Sequence, residues 1–129
     1  MSLPDKIPQD FLKDVIQANR QTIGELSEQG SQLTLRLQLL KRGYVRPWRR
    51  EDHARKVVLL LRKQDLNGQS VDCLRSINSL CLRLLVEFDC DREEDTVQEI
   101  MQRLQRATAE YRQLMAETSE AYSSPPEDG

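Results

Sequence analysis

The stretch VVLLLRKQDLNGQSVDCLRSINSLCLRLLVEFD, residues 57–89, decides how many helices this chain contains. It is dense in leucine, isoleucine and valine, and apolar and polar residues rarely alternate, so the pattern favours helix over strand. Asn67 and Gly68 have the chemistry of a turn. The sequence therefore predicts two short apolar helices, over about 47–66 and 70–89, joined as an antiparallel hairpin by a short turn.

Two long heptad patterns flank this pair. The first series is Leu12, Ile16, Ile23, Leu26, Leu33, Leu37, Leu40 and Tyr44, with Asn19 and Gly30 in its two gaps. The second series is Val97, Ile100, Leu104, Ala107, Tyr111, Leu114, Thr118 and Ala121. Alternating spacings of three and four place these side chains on one helical face, which is typical of a coiled-coil or bundle seam. The patterns predict a first helix that opens near Pro8 and a last helix over about 92–122.

Together these patterns predict an all-α protein with a four-helix bundle-like arrangement. The first and last helices are long and heptad-patterned, and a short apolar helical hairpin lies between them. A 30-residue helix is about 45 Å long, so the outer helices would overhang the inner pair and leave seam surface for another chain. In domain terms, we expect a flexible N-terminus over 1–7, a single helical bundle or coiled-coil domain over 8–122, and a disordered tail over 123–129.

This architecture predicts a non-enzymatic adaptor or a subunit of a multiprotein complex. Its mechanism would be burial of heptad surface against a helix of a protein partner or, by self-association, of a second copy. The predicted partner-binding residues are Ile16, Asn19, Ile23, Leu26, Leu104, Tyr111 and Leu114. Residues predicted to form the intramolecular core are Leu59–Leu61, Leu74, Ile77, Leu84 and Phe88.

The segment 41–56, called here the basic segment, contains the only tryptophan and has a net charge of +5. One interpretation is a structural corner, in which Trp48 and Tyr44 cover the end of the bundle. Its arginines would then pair with the acidic segment, residues 87–99, whose net charge is −6. A second interpretation is docking of an acidic protein partner. A third is phosphate binding with stacking on bases, which makes a nucleic-acid-associated subunit the alternative function. The predicted basic patch is Arg42, Arg46, Trp48, Arg49 and Arg50.

No catalytic, cofactor-binding or metal-binding residue is predicted. His53 has acidic neighbours in sequence that point elsewhere on a helix, and no close cysteine pair, phosphate loop or nucleophile motif occurs. The three cysteines, Cys73, Cys81 and Cys90, are expected to be reduced thiols in the cytoplasm or nucleus. Residues 57–61 form the longest apolar run, too short to cross a bilayer, so no membrane association is expected.

Overall fold

The computed structural model describes residues 9–89 and 94–123. Its elements are α1 (Gln9–Arg42), a 3-10 turn (Pro47–Arg49), α2 (Arg50–Asp89) and α3 (Glu94–Ser123). These described ranges contain no strand, which confirms the prediction of an all-α protein. The predicted flexible N-terminus lies outside the described residues, as does the predicted tail apart from Ser123, the last residue of α3.

The predicted break at Asn67-Gly68 is wrong, because α2 continues through it for 40 residues. The described residues therefore form three long helices instead of the predicted four, and the short apolar hairpin does not exist. The Asn67 side chain does not make a local turn: its Nδ2 donates to the Leu26 carbonyl of α1 at 2.8 Å. The Ser70 hydroxyl donates to the Leu66 carbonyl, a contact within the continuous helix α2. Contacts between helices have overridden the local preference for a turn.

Helices α1 and α2 pack antiparallel along most of their length. The residue numbers of the polar contacts between them fall along α2 as they rise along α1. Asn78 donates to the Ile16 carbonyl, Asn67 donates to the Leu26 carbonyl, and Gln64 donates to the Thr34 hydroxyl. The buried residues of α1 are Leu12, Ile16, Leu33 and Leu37. All four belong to the first predicted heptad series, so that series is confirmed as the buried face of α1. Tyr44, its last member, lies beyond the end of the helix.

Helix α3 packs antiparallel on another side of α2, which makes α2 the central helix. The Cys73 thiol of α2 donates to the Ala107 carbonyl of α3 at 3.2 Å. A single apolar core joins the three helices; its buried members are Leu12, Ile16, Leu66, Cys73, Leu74, Ile77, Cys81, Leu84, Ile100, Leu114 and Ala121.

The core roles predicted for Leu74, Ile77 and Leu84 are confirmed, and of the predicted run Leu59–Leu61, Leu60 is buried and Leu59 is half-buried. The core role predicted for Leu61 is wrong, because its side chain is 43% exposed on the face of α2 that neither α1 nor α3 covers. The side chain of Phe88 lies outside the described part of the chain.

Helix α3 is too short to follow the other two to their far end. Its penultimate residue, Tyr122, accepts a hydrogen bond from Gln29 of α1 at 2.7 Å, and its ring lies 4.4 Å from Nζ of Lys63 in α2. Beyond this level the buried cluster contains only α1 and α2 residues, namely Leu33, Leu37 and Leu60. The part of the protein that extends beyond α3 is therefore the end of the α1–α2 hairpin.

Candidate functional site at the hairpin tip

The hairpin tip, residues 35–56, owes its shape to four residues of the connector and helix end. The backbone N–H of Gly43 donates to the Leu39 carbonyl at 3.2 Å as α1 finishes. Arg46 takes an extended conformation, as residues before proline commonly do, because the proline ring disfavours helical backbone there. Pro47 then opens the 3-10 turn, where its missing N–H costs nothing. The chain thereby reverses direction within a few residues.

The hairpin tip exposes four large apolar or aromatic side chains. Leu35 and Leu39 lie one turn apart on α1, pointing away from the seam that Leu33 and Leu37 form, and are 56% and 61% exposed. Tyr44 is 86% exposed and Trp48 is 74% exposed. Partial burial of Trp48, expected of a structural corner, is therefore wrong. Neighbouring exposed apolar side chains of this size are typical of interaction surfaces.

Basic side chains share the hairpin tip with these apolar groups. The predicted basic patch is brought together here, and each of its five residues is exposed. The guanidinium of Arg46 lies 5.5 Å from the ring centroid of Trp48, in a cation–π contact. Beneath them is an open depression of about 230 Å³, lined by Leu40, Tyr44, Val45, Arg46, Arg49, Asp52, His53 and Lys56. His53 is held in place by a 2.8 Å hydrogen bond between its Nε2 and the Leu40 carbonyl.

The acidic segment cannot neutralise the hairpin tip within one molecule. The first residue of α2 lies in the basic segment and the last lies in the acidic segment. A continuous helix of 40 residues is about 60 Å long, so Arg50 of the basic segment and Asp89 of the acidic segment lie at opposite ends of α2. Pairing between them was predicted for a four-helix arrangement in which both connectors share an end. Within the basic segment, Arg55 lies 3.9 Å from Asp52 and 4.0 Å from Glu51.

The seven predicted partner-binding residues all take part in packing within the chain. Ile16 and Leu114 are buried, and four further members pack partly buried against the core: Ile23, Leu26, Leu104 and Tyr111. Asn19 donates from Nδ2 to Oδ1 of Asn78 at 2.9 Å, across the α1–α2 interface. Contacts among the three helices already account for their burial, and a role in binding a partner stays a prediction.

The sequence analysis missed Leu35 and Leu39 because it followed only the main seam of α1. The signal was present in LTLRLQLL, residues 33–40, where leucines occur both on and off the seam. A helix with apolar residues on two faces needs a neighbour on each. Over these residues α2 covers only one face.

The two described cysteines are buried in the core. Desolvation raises the pKa of Cys73, with a smaller contribution from the Glu110 carboxylate, and desolvation alone raises that of Cys81. Over the described ranges, no three histidine, cysteine or acidic side chains gather in a way that could hold a metal ion. Nor does any described helix combine the length and apolar character that a membrane span requires. Cys90 lies outside the described residues.

Comparison of the chain with protein-family models, with curated proteins and with solved structures finds no match. The functional argument therefore rests on the geometry and chemistry of the hairpin tip.

Proposed function

We propose that this protein is a non-enzymatic helical adaptor, or a subunit of a multiprotein complex, that binds a partner helix at the hairpin tip. The observation that carries the proposal is the exposure of Leu35, Leu39, Tyr44 and Trp48 where α1 and α2 extend beyond α3. Two packed helices leave their outer faces uncovered there. A partner helix laid against the outer face of α1, the face that Leu35 and Leu39 share, would cover these leucines by coiled-coil-like packing.

The chemistry of the tip suggests what the partner helix looks like. Its apolar face would carry large aliphatic residues to cover Leu35 and Leu39, in the manner of a helix bound in a groove. Acidic residues would flank that face, because the basic segment carries a net charge of +5. Opposite charges of this kind speed association and fix orientation more than they add affinity. We place this interaction inside the cell, in the cytoplasm or nucleus.

Site-specific photo-crosslinking in the native cell tests the proposal. A photoreactive residue at Leu39 should crosslink to one protein, through a segment that is helical and acidic. The same group at Gln113, an exposed position on α3, is the matched control and should not capture that protein. The variant Leu35→Glu should remove the crosslink at Leu39 while the helical content of the protein stays unchanged. Equal capture at both positions, or capture that Leu35→Glu leaves intact, would refute docking at the tip.

A nucleic-acid-associated subunit is the second candidate, and the exposure of Tyr44 and Trp48 beside arginines favours it. Exposed aromatic rings can stack on bases while arginines contact phosphates. The two candidates separate in a titration with a duplex and a single strand at two salt concentrations. Steeply salt-dependent binding that Arg49→Glu with Arg50→Glu abolishes would support the nucleic-acid function, because counterion release requires that dependence. Absence of binding at physiological salt would leave the helical adaptor.

A further inference from the structure

The face of α2 that neither α1 nor α3 covers carries a series of exposed residues at heptad spacing. Ten positions from Ala54 to Val86 follow one another at alternating spacings of four and three, and every one of them is exposed. We call this series the outer strip. The positions of α2 that pack on α1 or α3, such as Leu60, Leu74 and Leu84, all lie outside it. Five of the ten positions are apolar, and exposed apolar residues at heptad spacing are typical of a helix that pairs with another helix.

The apolar members of the outer strip stand at its two ends. Ala54, Val58 and Leu61 lie towards the start of α2, and Leu82 and Val86 lie towards its end. Val58 is 65% exposed and Val86 is 56% exposed. Apolar residues at both ends of one strip match in either orientation of a helix pair, so the charges along α2 decide the direction of pairing.

The centre of the outer strip is polar. It consists of Asp65, Gly68, Asp72, Arg75 and Ser79, all exposed. No atom lies within 4 Å of the place where a Cβ on Gly68 would stand, so a second backbone has room to approach there. Asp65 in one half of this centre and Arg75 in the other are complementary when the strip meets a copy of itself in reverse, and Asp72 then lies opposite Gly68.

We propose that the outer strip binds the outer strip of a second copy of this chain, as a symmetric antiparallel pair. In antiparallel helix pairs, the a positions of one helix usually face the d positions of the other. The register that pairs all ten positions of the strip in this way places the two-fold axis near residue 70. Val58 then packs against Leu82 of the second copy, and Ala54 against its Val86. Nearer the axis, Asp65 faces Arg75 of the second copy. The interface is isologous, so every contact occurs twice.

Two further features identify the occupant as a second copy. An antiparallel pair lays the start of α2 of each chain, within the basic segment, beside the end of α2 of the other, within the acidic segment. In sequence these segments carry net charges of +5 and −6. The charges that α2 separates within one chain are thereby neutralised between two. An apolar depression lined by Ala54, Arg55, Val58, Leu59 and Arg62 also lies where Leu82 and Val86 of the second copy would pack. This interface shares Ala54 and the charge of the basic segment with the hairpin tip, but it uses none of Leu35, Leu39, Tyr44 and Trp48, and it does not depend on the proposed adaptor function.

Substitutions that introduce opposite charges at two facing positions of this chain test the arrangement. Sedimentation velocity from micromolar to millimolar concentration should show a monomer–dimer equilibrium. Val58→Glu and Leu82→Lys should each weaken the dimer about tenfold or more, corresponding to at least ~1.4 kcal/mol. Mixing the two variants should restore dimers, because a mixed pair contains one Glu–Lys contact and one unchanged Val–Leu contact. Met115→Glu, a matched change at an exposed apolar residue of α3, should leave the dimer unaffected.

Three results would overturn the proposal. One is a chain that stays monomeric at millimolar concentration. Another is a dimer that is insensitive to both Val58→Glu and Leu82→Lys. The third is a failure of the mixed variants to pair. Because both positions are exposed, circular dichroism should show that each variant keeps the helical content and melting temperature of the parent at micromolar concentration, so that loss of pairing is not loss of folding.

Discussion

Asn67 of α2 lies directly against Gly30 of α1. Its Oδ1 is 2.6 Å from the position that a Cβ on residue 30 would occupy, while its Nδ2 donates to the Leu26 carbonyl at 2.8 Å. Gly30 thus gives the amide room to reach the α1 backbone. Gly30 and Asn67 are residue types that commonly interrupt helices. Here each lies within a continuous helix, and the two residues contact each other between α1 and α2.

We predict that Gly30→Ala destabilises the protein by about 1–3 kcal/mol. The added methyl group overpacks the contact and displaces the Asn67 amide from the Leu26 carbonyl, which outweighs the gain in helix propensity of about 1 kcal/mol. Chemical denaturation measures the difference. Gly24→Ala is the matched control, because no atom lies within 4 Å of its new Cβ. This control should stabilise the protein by up to about 1 kcal/mol. Equal stabilisation by both alanines would contradict the contact.

Leu84→Ala should cost about 2–5 kcal/mol, as large-to-small substitutions in packed cores do. Leu84 is fully buried in the core that joins the three helices. The equivalent change at the exposed Leu35 should stay within about 0.5 kcal/mol. Denaturant unfolding of both variants gives the comparison, and similar losses for the two would mean that the buried and exposed faces have been exchanged.

Cys73 and Cys81 should react slowly with a thiol reagent in the folded protein and rapidly in denaturant. Both are buried, and desolvation raises both pKa values, so little reactive thiolate is present at neutral pH. The measurement is labelling followed by mass spectrometry in a Cys90→Ser background, which restricts the signal to the two core thiols. Rapid labelling of either thiol without denaturant is the outcome that disagrees with a buried core.

Stability should decline as the pH rises above the ordinary thiol pKa of 9.0. A group whose pKa is raised by folding holds its proton more tightly in the folded state, so its contribution is complete below the unfolded pKa. That contribution is then lost as the pH rises through the folded pKa. Tyr111, whose pKa burial also raises, contributes with the same sign. Replacing both cysteines by alanine should make the free energy of unfolding fall less steeply at alkaline pH. If the fall is unchanged, groups other than Cys73 and Cys81 cause it.

Helical class and the buried face of α1 could be predicted from the sequence because both follow from local periodicity. Leu12, Ile16, Leu33 and Leu37 are buried as their heptad spacing indicates. The core role of Leu84 follows from the same reasoning. These properties depend on the 3.6-residue repeat of a helix and on little else.

The number of helices could not be predicted, because it depends on contacts between residues far apart in sequence. Asn67 has turn chemistry until its side chain meets the α1 backbone, and that partner lies 41 positions away in sequence. The position of the hairpin tip beyond the end of α3 likewise depends on the continuity of α2. With α2 continuous, α3 ends near Lys63, and the α1–α2 hairpin extends beyond α3 to the tip that exposes Leu35 and Leu39.

The continuity of α2 is the central claim, since it separates the basic and acidic segments and leaves the hairpin tip uncovered. The most direct test is the distance between spin labels at Arg55→Cys and Arg83→Cys in a chain without its native cysteines, diluted with unlabelled protein. One continuous helix places these positions about 42 Å apart, at about 1.5 Å per residue. A hairpin closing at Asn67 would bring them within about 10–20 Å, because packed helices lie 8–10 Å apart. The account predicts the long distance, and the short one would contradict it.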